Sequence, residues 1–419
     1  MGAPGRQQPI RHAEMGGLHA AGMVTFLHSA DWQIGKPYAR VQDADKRARL
    51  RQVRLEAIAR IGARIEPSQA SFLLVAGDLF DSPTPSSSDV TAVCQAIGRL
   101  AIPVLVIPGN HDHGAPGSVW HTPFFRAEQE RRAPNLQVLL ERSPVELPEA
   151  LVLPCPLHRR SDSDDPTAWV RQLDWSTLPD HKPRILLAHG SVHGFAAADL
   201  DADDDNPSSA NNRLNLDAGL LSQLDYIALG DWHGLKSVYP HCWYCGTPEP
   251  DRFPRSDDYQ GGQVLAVRVG RAVQPQVEVM ETAALTWQQQ RVDLRDDDDL
   301  TRLEAQLEPL LRSEPGQHLL LLEQTGSLSL EAYGRYQHLL ERLDAQVLRL
   351  KRRGTIEQSP DPTELSALIS RADAPLVARV ASDLHRALAD NDPQDASQRS
   401  LVQQALAELY RCAGDTPCA

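Results

Sequence analysis

The chain has 419 residues, which is long enough for two or three domains with buried cores and too long for a single small binding module. A hydrophobic fraction of 41% excludes wholesale disorder. The 42 basic and 56 acidic residues give a net charge of −14, which excludes a general electrostatic attraction to nucleic acid or anionic lipid. A phosphate-bearing ligand must therefore be held locally, by basic side chains or by metal ions.

The sequence predicts neither a membrane span nor a signal peptide. No run approaches the roughly 18 apolar residues of a spanning helix, and residues 1–22 are rich in Gly and Ala, which predicts a flexible extension. The six cysteines then favour reduced thiols over a disulfide framework. We expect a cytoplasmic protein with no membrane partner.

Residues 23–283 contain short apolar runs of strand length. The first three runs are separated by segments in which apolar residues recur at helical spacing. Near-continuous hydrophobicity is typical of strands that are buried on both faces, and an order of strand, helix, strand predicts an α/β domain. The apolar runs cover residues 24–28, 72–76, 104–107, 136–140, 151–153, 185–188, 226–229 and 264–269.

Two further regions follow this domain. Residues 284–356 alternate strand and helix patterns, at 287–294, 299–311, 318–323 and 330–342, which predicts a small α/β capping domain. Residues 357–419 show amphipathic helical spacing without a strand pattern. Short amphipathic helices gain most of their stability by packing on another surface, so we expect this tail to bind a partner.

Polar residues able to hold metal ions follow five of the predicted strands. Ligand sites in open α/β sheets form beyond the carboxyl ends of the strands, so the five segments are expected to converge on one crevice. Five such segments in order, all carrying carboxylate, amide or imidazole groups, indicate a site rather than coincidence. In chain order they carry Asp31 and Gln33; Asp78 and Asp81; Asn110, His111 and Asp112; His189; and Asp231 and His233.

The order of these segments resembles the calcineurin-like metallophosphoesterases, whose motifs have the forms DxH, GD, GNHD, H and GHxH. Within that superfamily, the segments FLHSADWQIGKPY (26–38) and GDLFD (77–81), together with the second domain and the tail, resemble the nuclease subunit of bacterial SbcCD-type DNA repair exonucleases. The resemblance implies a four-layer fold, with a β-sandwich flanked by helices. It also implies two divalent metal ions in the crevice.

The resemblance also implies a role for each candidate residue. Position one of the metal centre would be held by Asp31, Gln33, Asp78 and His233. Position two would share Asp78 as a bridge and add Asn110, His189 and Asp231. His111 would be the acid or phosphate-contacting histidine, oriented by Asp81 or Asp112.

Two residues depart from the family pattern. Gln33 stands where the first motif has a histidine, and Asp231 replaces the first histidine of the last motif. Oxygen donors in place of two imidazoles favour Mn²⁺, or Mg²⁺, over Zn²⁺. The same two changes leave another interpretation open, in which one metal ion is weakly held and the centre is slow or inactive.

Basic residues near the motifs are candidates for contacts with DNA phosphates. They are Lys36, Arg252 and Arg255, for which surface ion pairs are an equally good interpretation. The most basic cluster, residues 348–353, is a further candidate for duplex contact, although a solvated face is favoured there.

These observations favour a Mn²⁺-dependent DNA exo/endonuclease subunit that acts in DNA repair. By resemblance, its partner would be an SMC-like ATPase with a long coiled coil, and the nuclease would form a homodimer. One alternative is a metallophosphatase or nucleotidase that acts on small phosphate esters. Another is a DNA-binding scaffold subunit that Gln33 and Asp231 have made catalytically weak.

Overall fold

The computed structural model describes residues 22–192, 212–253, 259–358, 361–390 and 396–414. Strands form at the apolar runs that the sequence analysis identified, and most of their residues are buried. In chain order the strands are β1 (Met23–Ser29), β2 (Leu73–Val75), β3 (Val104–Val106), β4 (Leu136–Val138), β5 (Val145–Glu146), β6 (Leu151–Cys155), β7 (Arg184–His189), β8 (Ser191–Val192), β9 (Arg213–Leu214), β10 (Tyr226–Gly230), β11 (Lys236–Tyr239), β12 (Cys242–Tyr244), β13 (Gln263–Gly270), β14 (Val273–Glu281), β15 (Thr286–Leu294), β16 (His318–Leu328), β17 (Arg349–Arg353) and β18 (Glu357–Gln358). The α-helices are α1 (Ala44–Gly62), α2 (Ile65–Ser68), α3 (Ser87–Ile97), α4 (Pro123–Arg132), α5 (Ala218–Leu221), α6 (Asp297–Leu311), α7 (Leu330–Gln346), α8 (Pro362–Ile369), α9 (Pro375–Asp390) and α10 (Ala396–Gly414).

The first sheet has the strand order β14-β13-β1-β2-β3-β4. Strands β1 to β4 are parallel, as strands joined by helical crossovers usually are, and β13 and β14 extend the sheet in antiparallel fashion. Helices α1, α3 and α4 cover the outer face with apolar side chains that include Ile58, Val93 and Phe125.

The second sheet has the order β11-β12-β10-β7-β6-β5, with four parallel strands between two antiparallel edges. A shared core packs Phe26 and Leu74 of the first sheet against Ile185 and Tyr226 of the second. Short helical segments, including α5, cover the outer face of the second sheet. The layers are helix, sheet, sheet and helix, which confirms the predicted fold class.

The capping unit is a parallel sheet of order β15-β16-β17, with β18 paired beside β16. Leucines of α6 and α7 pack on one face of this sheet. On the other face, Leu319 and Leu321 join a cluster with Leu50 and Val53 of α1 and with Phe253. An apolar contact therefore joins the capping unit to the helical layer of the first sheet. Because the capping sheet includes β18, it extends two residues past residue 356, the expected end of the capping domain.

The tail helices α8, α9 and α10 pack around Leu368 and Ala381. Helix α8 also contacts the capping unit, because the Glu364 carboxylate accepts the amides of Leu330 (3.1 Å) and Glu331 (2.8 Å) at the start of α7. Among the described residues, no helix combines the length and the apolar character that a membrane crossing needs. Of the expected N-terminal extension, residues 1–21 lie outside the described residues. Among the described cysteines, Cys94, Cys155, Cys242 and Cys245 are buried free thiols.

The sequence pattern does not predict β14 or β17. Strand β14 mixes Gln and Glu with Val and is half exposed at the sheet edge, so it lacks a continuous apolar run. Strand β17 has the sequence Arg-Leu-Lys-Arg-Arg. Charged side chains are common on edge strands because they prevent pairing with other chains. Both strands therefore depend on their neighbours in the sheet rather than on a local hydrophobic signal.

Candidate metal centre

The loops that follow β1 and β2 are tied to each other by main-chain hydrogen bonds. The amide of Asp31 donates to the carbonyl oxygen of Gly77 (3.1 Å), and the amide of Gln33 donates to that of Asp78 (2.8 Å). These bonds place the first two polar segments side by side at the carboxyl ends of parallel strands, where the topology predicts a ligand site.

Four residues of the predicted centre have left-handed backbone conformations. The φ angle is 53° at Asp31, 44° at Gln33, 55° at Asp78 and 98° at Asp231. Such conformations cost residues other than glycine about 1–3 kcal/mol each, and they cluster at functional sites. The main-chain bonds between the loops hold Asp31, Gln33 and Asp78 in place, and the amide of Asp231 donates to the Asp31 carboxylate.

His189 ends β7 and is fully buried. Its Nδ1 donates to the carbonyl oxygen of Ala76 at 2.7 Å, so the neutral ring, which is the form that binds a metal ion, has its lone pair at Nε2. Among the described residues Nε2 has no hydrogen-bond partner, and it lies 3.6 Å from Oδ2 of Asp78 and 3.7 Å from Oδ1 of Asp231. These separations are too long for hydrogen bonds but suit donors that each lie roughly 2.0–2.2 Å from a shared cation.

Asn110 and Asp78 each use one side-chain atom in a bond that leaves the other atom open. Nδ2 of Asn110 donates to Oδ1 of Asp231 (3.3 Å), and its buried Oδ1 has no partner in the part of the chain that is described. Oδ1 of Asp78 accepts the amide of His111 (2.9 Å), which leaves Oδ2 facing His189. The donors of position two therefore converge with open atoms, as a cation site requires.

Negative charge is concentrated in this buried region. Burial and the carboxylates of Asp78 and Asp231 raise the pKa of Asp31 to about 8. Burial lowers the pKa of His189, but the carboxylates of Asp78, Asp31 and Asp231 raise it overall to about 9. Asp31, Asp78 and His189 offer ligand atoms within 4.8 Å of one another. Carboxylates buried this close together need positive charge beside them, and a divalent cation fits that need.

The remaining residues of position one have different surroundings. Nζ of Lys36 donates to Oε1 of Gln33 at 2.8 Å, and Nε2 of Gln33 lies 3.4 Å from Nε2 of His233. Nδ1 of His233 lies 3.1 Å from Oδ2 of Asp251. The side chains of Gln33 and His233 therefore contact each other, and they also contact Lys36 and Asp251.

His111 and Asp112 are adjacent in the sequence but lie in different environments. Nδ1 of His111 lies 3.0 Å from the carbonyl oxygen of Asp81 and 3.9 Å from its Oδ1. The fully buried carboxylate of Asp112 accepts the amides of Phe80 (3.0 Å) and Gly109 (2.8 Å). Of the two residues expected to orient His111, the geometry favours Asp81, while Asp112 holds the turn.

The carboxylates near His111 favour its charged form. Burial lowers the pKa of His111, but Asp78 and Asp81 raise it overall above its usual value. Because Nδ1 donates to the carbonyl of Asp81, Nε2 carries a proton only in the imidazolium. The side chain is 23% exposed, so a ligand in the crevice can reach it.

The sequence analysis missed Asp251, a buried carboxylate beside position one. Nζ of Lys36 lies 3.1 Å from its Oδ2, and the guanidinium of Arg252 donates to both of its oxygens at 3.0 and 3.1 Å. Burial raises the pKa of Asp251, but Arg252, His233 and Lys36 hold it well below its usual range. Two of the expected phosphate contacts are therefore bound to a carboxylate of the chain, and Arg255 lies outside the described residues. A single Asp in a Pro-rich segment gives no sequence signal of burial.

A match to a known protein family agrees with this geometry. A family model described as calcineurin-like phosphoesterase matches residues 24–258, which is more than half of the chain. One crystal structure matches at 12% identity and a TM-score of 0.38, over 62% of this chain and 99% of its own. The crystal structure of TT1561 of Thermus thermophilus matches at 13% identity and a TM-score of 0.37, over the same shares of the two chains. The family match spans all five polar segments, and the chain therefore belongs to the calcineurin-like phosphoesterases, a family that hydrolyses phosphoesters with bound metal ions.

Proposed function

We propose that this chain is a metal-dependent DNA nuclease whose substrate lies in a basic groove beside the capping unit. The observation that carries the proposal is the positive charge of this groove in a chain of net charge −14. The groove is a cavity of about 770 Å³ between the loop that leads into α1 and the end of α7 with β17. Its cationic side chains are Arg40, Lys46, Arg349, Lys351 and Arg352.

The carboxylates that line the basic groove already have partners in the chain. Asp43 caps α1 by accepting the amides of Asp45 (2.8 Å) and Lys46 (2.9 Å). Asp344 lies 3.7 Å from Nζ of Lys46. Five cationic side chains and two carboxylates line the groove, so its lining carries an excess of positive charge, as a surface that neutralises several backbone phosphates needs. A small phosphate ester would not need a basic surface of this extent.

The residues of the centre supply what diester hydrolysis needs. When bound, a divalent cation polarises a phosphoryl oxygen and stabilises the leaving oxygen. The residues that would hold it are Asp31, Asp78, Asn110, His189 and Asp231. His111, held through Nδ1 by Asp81, can place a proton at Nε2 for the leaving oxygen, a contribution typically worth 10²–10⁴-fold in rate.

The proposal is tested with the purified full chain and end-labelled single- and double-stranded DNA. We expect cleavage that depends on a divalent cation, is fastest with Mn²⁺ and stops with a chelator. Faster hydrolysis of nucleoside monophosphates than of DNA would instead indicate a phosphatase. DNA binding without any turnover would indicate a scaffold subunit.

Variants of the groove separate DNA binding from chemistry. Lys351→Gln combined with Arg352→Gln should weaken DNA binding and lower the salt dependence by about one unit of slope for each lost phosphate contact. Hydrolysis of bis(4-nitrophenyl) phosphate should not change. The matched control combines Arg312→Gln with Arg342→Gln, two exposed arginines of the capping unit outside the groove. Equal losses in both double variants would contradict the assignment of the groove.

We also propose that the nuclease works as a homodimer in DNA repair and that its tail binds an SMC-like coiled-coil ATPase. Exposed apolar side chains on the tail support a docking role, since Leu376 is 75% exposed and Leu401 is 66% exposed. An amphipathic helix face of this kind suits helix-in-groove recognition. Light scattering tests the dimer, and a monomer at all concentrations would contradict it.

A further inference from the structure

The two metal positions differ in whether their donor atoms are open. At position two, Nε2 of His189 and Oδ1 of Asn110 are buried and have no hydrogen-bond partner among the described residues. At position one, the corresponding atoms of Gln33 and His233 already have partners within the chain.

Lys36 determines the orientation of the Gln33 amide. An ammonium group can only donate, so the atom of Gln33 that lies 2.8 Å from Nζ must be the carbonyl oxygen. This oxygen is the one atom of Gln33 that could bind a cation. The Lys36 side chain is only 16% exposed, and its Nζ also lies 3.1 Å from Asp251 and 3.9 Å from Asp81. Two carboxylates and the Gln33 oxygen therefore hold the ammonium in place.

The NH₂ group of Gln33 contacts the imidazole of His233. With its oxygen on Lys36, Gln33 directs its NH₂ group toward Nε2 of His233, 3.4 Å away. His233 can accept this bond because its Nδ1 donates to Asp251 at 3.1 Å. Arg252 also approaches Nδ1, at 2.9 Å, and in the tautomer that would accept from it Nε2 carries the proton. In neither arrangement does His233 offer an open lone pair at Nε2.

We propose that the ammonium of Lys36 replaces the cation of position one, so that the chain binds a single divalent cation, at position two beside Asp31. The hydrogen-bonded chain Lys36, Gln33, His233 and Asp251 fills position one. Lys36 supplies a fixed positive charge beside Asp251 and Asp81, and Gln33 in place of histidine provides the oxygen that accepts from its ammonium group. The proposal concerns the metal content of the proposed nuclease and rests on that function only for the identity of the substrate.

The test is a Mn²⁺ titration of the full wild-type chain, followed by electron paramagnetic resonance and by elemental analysis after removal of free metal. We expect one equivalent of Mn²⁺ and the hyperfine spectrum of an isolated ion. Two tightly bound equivalents with the spectrum of an exchange-coupled pair would overturn the proposal. Neither readout depends on cleavage of DNA, so a failure of the proposed function is seen separately.

A double variant tests which residues close position one. Gln33→His with Lys36→Met restores an imidazole and removes the ammonium, so it should gain a second equivalent and the coupled spectrum. If the double variant does not fold, the single variant Lys36→Met, which keeps the native Gln33, takes its place. It should bind a second equivalent of Mn²⁺ more tightly than the wild type does. Lys182→Met is the matched control, because this lysine is similarly shielded and pairs with Glu146 at 2.7 Å, and it should leave one equivalent. A folded variant lacking Lys36 that still shows no second site would overturn the proposal.

Discussion

Nδ1 of His189 donates to the carbonyl oxygen of Ala76 across 2.7 Å. His189 ends β7 of the second sheet and Ala76 follows β2 of the first, so the bond joins the two sheets at the metal centre. It also fixes the imidazole tautomer and leaves Nε2 to face Asp78 and Asp231. The cation site therefore depends on how closely the two sheets approach.

Gly230 permits this close approach. A Cβ atom at Gly230 would lie 1.9 Å from the Ala76 oxygen and 2.8 Å from Nδ1 of His189. We expect Gly230→Ala to lower the free energy of unfolding by about 1–3 kcal/mol and to weaken Mn²⁺ binding. Urea unfolding and metal titration measure the two effects. Gly334→Ala in α7 is the control, since no atom of the described residues beyond its own helix backbone lies within 4 Å of the added methyl group, and it should stabilise the chain by roughly 0.5–1 kcal/mol. Unchanged metal binding by Gly230→Ala would contradict the prediction.

Asp78→Asn should abolish metal binding without unfolding the chain. The asparagine keeps an oxygen for the His111 amide but removes a charge that repels Asp31. Burial raises the pKa of Asp78, but His189 and His111 hold it below its usual value overall, so the metal-free variant loses a favourable charge and should be less stable than the metal-free wild type while still folding. Mn²⁺ should raise the melting temperature of the wild type and of the surface variant Asp344→Asn, but not that of Asp78→Asn. A metal-induced shift that persists in Asp78→Asn would rule out this carboxylate as a ligand.

His111→Ala should slow diester cleavage by about 10²–10⁴-fold while metal content and DNA affinity stay near those of the wild type. The amide of His111, which bonds to Asp78, is retained in the variant. Single-turnover kinetics and elemental analysis of the same preparation give the rate and the metal content. Loss of the metal would show that the imidazole is a ligand instead.

His28 makes the stability of the fold depend on pH. Burial lowers its pKa from 6.5 to about 3, and its ring nitrogens lie 3.1 Å from the Tyr226 hydroxyl and 3.2 Å from the Leu229 carbonyl oxygen. Below pH 6.5 the unfolded chain binds a proton that the folded chain does not, so stability falls as pH falls toward 3. The expected loss is about 1.4 kcal/mol per pH unit over that window.

In urea unfolding, His28→Gln should flatten the pH dependence of the free energy of unfolding between about pH 7 and pH 5, and the exposed control His338→Gln should not. Identical slopes for the wild type and His28→Gln would exclude this origin.

Leu376→Glu or Leu401→Glu should prevent copurification with a coexpressed SMC-like ATPase from the same genome. Both side chains are largely exposed, so each change should alter stability by less than about 0.5 kcal/mol. Gln404→Glu adds the same charge to an exposed position of α10 and should keep the partner. Equal recovery of the ATPase with all three variants would exclude this face of the tail.

Much of the fold and the positions of the candidate ligands could be predicted from the sequence. Strands buried on both faces are visible as apolar runs, and residues that follow parallel strands must meet at one edge of the sheet. That reasoning predicts that Asp31, Asp78, Asn110, His189 and Asp231 lie in one crevice. It did not find β14, because a half-exposed edge strand carries no continuous apolar run.

Only the tertiary structure decided which atoms of those residues are open. Asp251 is distant in sequence from Lys36, yet the two lie 3.1 Å apart, and no local pattern indicates that this aspartate is buried. The sequence identifies Gln33 as an oxygen donor, but the contact with Lys36 takes that oxygen away from a cation. Strand patterns arise from local burial and are therefore readable along the chain. Hydrogen-bond partners are selected by packing between distant segments, so they are determined only once the two sheets and their loops have come together.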